Sequence, residues 1–491
     1  MRSGSFWMIA VRWSIRLTGV VSTVILARLL TPTDFGVVAM AMIVVSLLEV
    51  LSPSGQKYAL IRLVNPDRGH YDTVWTLSVI VGMVIAAAIV GIAPLTRLYF
   101  HDGRAIPVMQ CLALRSAIGG FENVGVLDFR RELRFDKYFL YNVYPKLISF
   151  FVTIIAAFVL RNYWALVLGI LSYSFAMNVL SFTMHPYRPS FSLVKINELW
   201  SFSIWTLVRT IGWSLNFQVD QLVIGGTAGV AAMGRYAVAS DVATSPSREL
   251  NDPMVAALYP VMVKVQHDHT QLRALYLKAL CWSAIICFST SIGVALVSHD
   301  LVQVVLGSKW LDLEPLMGYL ALSAGLVGLS SGAYATFDTL GRPELGARMQ
   351  WLRLAFLCLV IVPVGIASHS LKFIAIARLG VTAIFMPTLF LAAGSAIGVS
   401  PGDYVRAFWR PLAAAATMTI GVWGAEALMP QSGAAQLIFE VLAGAVCFTV
   451  SLLALWRLSG RPDSAERDLL QFIRQCLTTW APYPRLRKRP S

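Results

Sequence analysis

Apolar runs long enough to cross a bilayer follow one another along nearly the whole chain, separated by short polar connections. A hydrocarbon layer about 30 Å thick takes roughly 20 helical residues to span. Lipid offers the backbone no hydrogen bonds, so only helices and closed barrels can cross it. The runs here have helix length, and the alternating segments of roughly ten residues that build a barrel are absent. Helices are expected over 6–30, 35–58, 73–99, 105–128, 138–160, 163–185, 200–224, 228–252, 275–298, 313–338, 346–368, 371–396, 405–428 and 435–457. Composition agrees, because a chain that is 57% hydrophobic and 13% charged carries more apolar surface than a soluble core needs. The reading is an all-α integral membrane protein with about fourteen transmembrane helices.

The formal net charge of +14 raises the question of nucleic acid, but its distribution answers it. With the N-terminus inside, the even-numbered connections collect Lys57, Arg62 and Arg68; Arg130, Arg131, Arg134 and Lys137; Arg188 and Lys195; Lys264, Arg273 and Lys278; Arg342 and Arg348; and Arg406 and Arg410. A basic tail ending in Arg485, Arg487, Lys488 and Arg489 faces the same side. Basic residues gather on cytoplasmic loops, so both termini are expected in the cytoplasm and nucleic acid is not expected as a partner; the tail meets anionic lipid or, as the alternative, docks a cytoplasmic partner. Arg2, Arg12 and Arg16 with no small-residue cleavage site after them argue that the first helix is retained. The six cysteines are scattered through apolar runs without metal or disulfide spacing and read as small core residues. No extramembrane segment is long enough to form a domain, so any function must lie within the membrane.

The chain reads as two copies of one unit. "VRWSIRLTGVVSTVILARLLTPTDFGVVAMA" from Val11 matches "VRTIGWSLNFQVDQLVIGGTAGVAAMGRYAVA" from Val208, with Arg12 answering Arg209 and Gly36 answering Gly234. Pro53 falls near Pro253, and Asp128 answers Asp338. Six helices per copy give a parallel repeat about an axis along the membrane normal, a design suited to alternating access around a central site. The division is 1–197 for the first lobe, 198–397 for the second, 398–457 for an appended helix pair and 458–491 for the tail. The turn Thr31-Pro32-Thr33-Asp34 reads as a connection in which Pro32 stops one helix and Asp34 caps the next.

Charges within apolar helices carry the functional signal, since an arginine at mid-bilayer costs roughly 2.5–3.5 kcal/mol on insertion scales. Arg12 and Arg16 lie four apart on one face of the first helix with Gly19 and Thr23. Arg209, Trp213, Asn216 and Asp220 form a polar stripe on the seventh, with Gln218 beside it. Guanidinium groups stay charged and bind phosphate in bidentate fashion, so paired arginines point to an anion such as pyrophosphate. The alternative is that Arg12 and Arg16 snorkel to lipid headgroups. Glu49, Asp220 and Asp241 either bind a coupling proton or sodium ion or pair with neighbouring arginines. Arg115 and Glu122, seven apart, are either cavity-lining or an internal salt bridge. His267 and His269 in "HDH" read as a solvated loop, and neither a metal site nor a cofactor is expected. The chain has no P-loop, GxSxG elbow or GxGxxG, so it is not read as an enzyme.

"ILARLLTPTDFGVVAMA" at 25–41, "RRELRFDKY" at 130–138 and "NFQVDQLVIGGTAGVAAMGRYAVA" at 216–239 resemble the polysaccharide-exporting, Wzx-type oligosaccharide flippases, in the superfamily of multidrug and toxin extrusion transporters. The resemblance implies two six-helix bundles plus a helix pair. It implies movement of undecaprenyl-pyrophosphate-linked sugar repeat units from the cytoplasmic to the outer leaflet of a bacterial inner membrane, for exopolysaccharide, capsule or O-antigen synthesis. A polysaccharide polymerase and co-polymerase are the implied protein partners. Carried over by position, Arg12, Arg16 and Arg209 are the cavity cations, and Asp220 is the acidic position; its first-half counterpart lies near Thr23, so a symmetric ion site is not implied. A multidrug antiporter of the same fold and a membrane-embedded polymerase or ligase are the competing readings. The arginine pair speaks against the first, and the short outer loops against the second.

Overall fold

The computed structural model describes residues 2–52, 60, 66–199, 204–429, 433–461, 465–468 and 470. Pro53, Lys57, Arg62, Cys476 and the end of the basic tail lie outside them. The long helices run α1 (Arg2–Leu29), α2 (Pro32–Glu49), α3 (Arg68–Phe100), α4 (Ala105–Gly120), α5 (Phe135–Leu160), α6 (Trp164–Met184) and α7 (Ile204–Thr227). They continue with α8 (Val230–Lys264), α9 (His269–Leu296), α10 (Glu314–Thr339), α11 (Pro343–Ser368), α12 (Leu371–Ile397), α13 (Pro401–Leu428) and α14 (Ala434–Leu458). No strand occurs among the described residues.

By length and composition, 10 helices among the described residues can cross a membrane, and the chain is a multi-pass membrane protein. The others needed to reach the expected fourteen are α4, with 16 residues, and α7, α8 and α13. These last three carry the polar load: Arg209 and Asp220 on α7; Arg235, Asp241, Arg248 and Glu249 on α8; Asp403, Arg406, Arg410 and Glu426 on α13. Prolines inside α3, α5, α8, α11, α12 and α13 are tolerated because neighbouring helices and hydroxyls can satisfy the freed backbone groups.

Helix ends follow their caps. Thr31 is the N-cap of α2: the Asp34 amide donates to its hydroxyl at 3.3 Å, and the Thr31 amide donates to the Asp34 carboxylate at 2.9 Å. Pro32 therefore opens the second helix at its first position rather than closing the first, where its missing N–H costs nothing. Asp67 with His70 and Ser400 with Asp403 cap α3 and α13 in the same reciprocal way.

By packing, the chain divides into two compact units, which are distinct from the sequence repeats. One comprises Met1–Val242, Val302–Leu316 and Pro343–Val381; the other comprises Ala243–Leu301, Met317–Arg342 and Thr382–Ser491. The first has a core of Val37, Ala41 and Val45 from α2 against Ile85, Ile89, Val108, Leu112 and Val167. The second packs Cys281 and Ile285 of α9 against Ala414, Met418, Val422, Phe448 and Leu452 of α13 and α14.

Candidate functional site

A cavity of about 520 Å³ lies within the first unit, between α1, α2, α5, α6 and the start of α8, with Arg115 reaching in from α4. Its walls are apolar, including Leu26, Phe35, Val38, Met42, Phe150 and Ile170. Against them stand the hydroxyls of Ser22, Thr23, Ser149, Thr153 and Tyr173 and three charges, Arg115, Lys146 and Asp241. Lys146 follows Pro145 inside α5. That stretch of α5 is held against α6 by Ser149, whose hydroxyl donates to the Gly169 carbonyl at 2.7 Å. The approach is close there: a Cβ on Gly169 would sit 1.9 Å from the Thr153 hydroxyl oxygen, so alanine would force that side chain to move.

The charges are cross-connected between helices. Arg115 Nη2 lies 3.1 Å from Glu49 Oε2 at the end of α2, and the Ser116 hydroxyl donates to the other Glu49 oxygen at 3.1 Å. Lys146 is within electrostatic reach of Asp241 on α8 and of Arg16 on α1. The cavity thus gathers two cations, Arg115 and Lys146, with the Asp241 carboxylate in its lining and Glu49 paired to Arg115. Intramembrane charges of this kind face a cavity or a partner, and these have both.

Other residues singled out from the sequence fall elsewhere. Arg12 and Arg16 are half-buried on α1 and Arg209 is half-buried on α7, and none of the three lines the cavity. Asn216 is buried and donates to the backbone carbonyl of Gln350 at 2.9 Å, joining α7 to α11. Gln218 donates to Ser214 and accepts from Ser46 at 3.1 Å, joining α7 to α2. Asp220 is 1% exposed; its Oδ1 sits 2.6 Å from Arg378 Nη1 of α12, an ionic contact, and its Oδ2 accepts from Tyr236 of α8. A counter-ion at Asp220 would have to displace that guanidinium. Arg115 does not pair with Glu122 as sequence spacing allowed; Glu122 instead accepts from Tyr141. The pairs that form join different helices, which spacing along one helix cannot reveal.

Lys146 and Arg378 were not singled out from the sequence. Both carry the signal that flagged the arginines, a basic residue inside an apolar run, and both would have been found by applying that test to every helix.

The two glycines matched by the repeat meet each other. A Cβ on Gly36 would lie 1.9 Å from the Val230 carbonyl oxygen, and one on Gly234 would lie 1.8 Å from that of Pro32. This seam between α2 and α8 lies next to the α1–α2 turn, and Val38, Ala39, Ala237 and Val238 of the same two helices line the cavity. The segment Ser308–Leu313 straps it: Lys309 Nζ donates to the Leu30 carbonyl at 2.6 Å, and Trp310 Nε1 to that of Ala27 at 3.0 Å. Trp310 also meets Phe35 edge-on, and Arg235 of α8 pairs with Asp312 at 2.7 Å.

Residues 25–315 match a family described as "Polysaccharide biosynthesis protein". The chain is 26% identical over 328 residues to the lipopolysaccharide biosynthesis protein WzxC of Escherichia coli, covering 65% of this chain and 66% of that one. It is 23% identical over 311 residues to the succinoglycan biosynthesis transport protein ExoT of Rhizobium meliloti, covering 62% and 63%. Each match thus spans just under two thirds of the relative. The fold is similar to that of the lipid II flippase MurJ in an inward closed conformation, with a TM-score of 0.73 at 11% identity over 93% of this chain and 99% of that one.

Proposed function

The chain belongs to the polysaccharide biosynthesis protein family, and from that premise we propose that it is a flippase, not an enzyme. It moves undecaprenyl-pyrophosphate-linked oligosaccharide units from the cytoplasmic to the outer leaflet of a bacterial inner membrane by alternating access, for surface polysaccharide synthesis. The observation that carries this reading is the membrane-embedded cavity with Lys146 and Arg115 set among hydroxyls and apolar walls. A pyrophosphate needs fixed cations in a low-dielectric site, and the sugar needs hydroxyl partners. The names of relatives in lipopolysaccharide and succinoglycan synthesis, and the fold of a lipid II flippase, support the same cargo class.

In this reading Lys146, Arg115 and Arg16 hold the pyrophosphate, and Arg12 and Arg209 serve the path into the site. Asn216 and Gln218 hold α7 to its neighbours. The lobes that rock are residues 1–197 and 198–397, the pair 398–457 is appended, and both termini face the cytoplasm. With the inside negative, each net negative charge moved outward gains about 2.3 kcal/mol per 100 mV. Arg378 serves Asp220 as an internal counter-ion, so the potential drives transport without a proton or sodium site there. A polymerase and co-polymerase receive the cargo on the outer side.

The test is headgroup translocation in liposomes with and without an imposed potential. Lys146→Ala and Arg115→Ala should each abolish it with normal insertion, and an inside-negative potential should accelerate the unmodified chain. Undiminished flipping in both variants would overturn the assignment of the cavity.

A further inference from the structure

We propose that a second cavity, in the other packing unit, binds a phosphate-bearing anion. It measures about 320 Å³, at the small end of the roughly 300–1,000 Å³ typical of ligand pockets. It lies where two helix connections and the last turn of α12 converge: Gln266 and His267 come from the α8–α9 connection and His269 from the first position of α9, while Thr339 ends α10 and Arg342 sits in the α10–α11 turn. These polar groups supply an amide, two imidazoles, a hydroxyl and a guanidinium, and no carboxylate stands among the lining residues.

The one acid in the "HDH" stretch is already engaged. Asp268 caps α9, its Oδ1 accepting the amides of Thr270 and Gln271 at 3.0 Å each. That cap fixes the loop so that the histidines on either side both line the cavity. Gln266 Nε2 lies 3.2 Å from His267 Nε2, steadying that ring. Across the cavity, Gly341 at φ +67° makes the turn that sets Arg342 just before Pro343 opens α11, and the Arg342 amide is tied to the Phe337 carbonyl at 3.0 Å. His267, His269 and Arg342 are exposed, so a ligand can reach them.

The donor set selects the ligand. A guanidinium fork matches two oxygens of a phosphate, and imidazoles approaching from another loop can meet a third, which a planar carboxylate does not offer. Arg342 would repel a metal cation, and no cluster of three metal-ligating side chains occurs among the described residues. The phosphate can belong to a lipid headgroup or to a free phosphate or diphosphate, and the chemistry is shared. None of these residues lines the cavity of the first unit, so the site stands apart from the flippase assignment.

The test uses the full chain in nanodiscs, with two arms. In phosphatidylcholine discs, pyrophosphate is titrated calorimetrically against the unmodified chain, Arg342→Gln, the double variant His267→Gln/His269→Gln, and Lys146→Gln. In the second arm, without free phosphate, hydrogen exchange over residues 265–270 and 339–342 is compared between phosphatidylglycerol and phosphatidylcholine discs. A free-phosphate site predicts a saturable phase that Lys146→Gln keeps and Arg342→Gln weakens at least about tenfold, equivalent to 1.4 kcal/mol. A headgroup site predicts protection by phosphatidylglycerol that Arg342→Gln loses. Should Arg342→Gln fail to elute as a folded species, the double histidine variant, at exposed loop positions, decides both arms. Titration and exchange unaffected by these changes in both arms would overturn the proposal.

Discussion

Replacing Gly36 or Gly234 by alanine tests the seam between α2 and α8 most directly. Ordinary contact of a Cβ begins near 3.4 Å, whereas the new methyl groups would lie 1.9 and 1.8 Å from the opposing backbone carbonyls. The helices would have to part by about 1.5 Å, the difference between 3.4 and 1.9 Å. No side chain can rotate away, because both obstacles are backbone. Overpacking of this kind costs about 1–3 kcal/mol, whereas Gly to Ala inside an unobstructed helix gains up to about 1 kcal/mol. The sign of the effect therefore reports on the contact. Gly19 on α1, with nothing within 4 Å of its Cβ position, is the control and should be neutral or stabilised by alanine. Spin labels at Thr33 and Ala231, with the six native cysteines replaced, should show the α2–α8 distance lengthening in Gly36→Ala and Gly234→Ala. At 1.4 kcal/mol per decade, a cost of that size lowers the population with the two helices in contact roughly tenfold. For the flippase proposed above, transport should slow in both variants. An unchanged distance distribution with a raised melting temperature would refute the close approach.

Three further outcomes follow from the charges. Asp220→Asn or Arg378→Gln alone should destabilise by about 3–5 kcal/mol, since each strands a buried charge, and the double variant should recover much of the loss in thermal unfolding; additive losses would count against the pair. Asp241→Asn, which removes a carboxylate near Lys146, should tighten pyrophosphate binding in calorimetry while slowing turnover, and unchanged affinity would refute its role as a competing anion. Outside the spans, the Ser400 amide first and Arg273 second hold the Asp403 carboxyl below the usual carboxylate range. A depressed folded value stabilises above the ordinary value of 3.8 and is lost as pH falls through the folded one. The melting temperature of Asp403→Asn should therefore trail that of the unmodified chain at pH 6 and converge with it in acid.

The helices were legible because bilayer thickness turns composition into length. The turn at Thr31–Asp34 was legible because its interactions are local, but the N-cap is Thr31, with Asp34 answering it from the third helical position rather than capping the helix itself. Gly36 and Gly234 were matched as equivalents, and the structure makes them neighbours, a relation that similarity between two segments cannot state. Spacing along one helix offers Arg115 the carboxylate of Glu122, whereas its ion pair is with Glu49 on another helix. Asp220 and Arg378 meet from α7 and α12, and nothing in local spacing connects them. The sequence thus exposes which residues are too costly to leave in lipid, and packing alone decides how they are matched.

That matching bears on how an anion site can work in a membrane. A cavity of bare cations would be expensive to hold empty and, once filled, slow to release a pyrophosphate. Here Glu49 pairs with Arg115 and Asp241 lies within electrostatic reach of Lys146, so in the flippase we propose, substrate binding would exchange internal carboxylates for phosphate oxygens at little net electrostatic cost. The two carboxylates ride on α2 and α8, and the cations opposite them on α4 and α5. The same two helices meet at Gly36 and Gly234. A rocking motion that parts α2 from α8 therefore also moves both carboxylates relative to Arg115 and Lys146. For the flippase we propose, opening the seam and changing the grip on a phosphate would then be one movement, which is the coupling that alternating access requires.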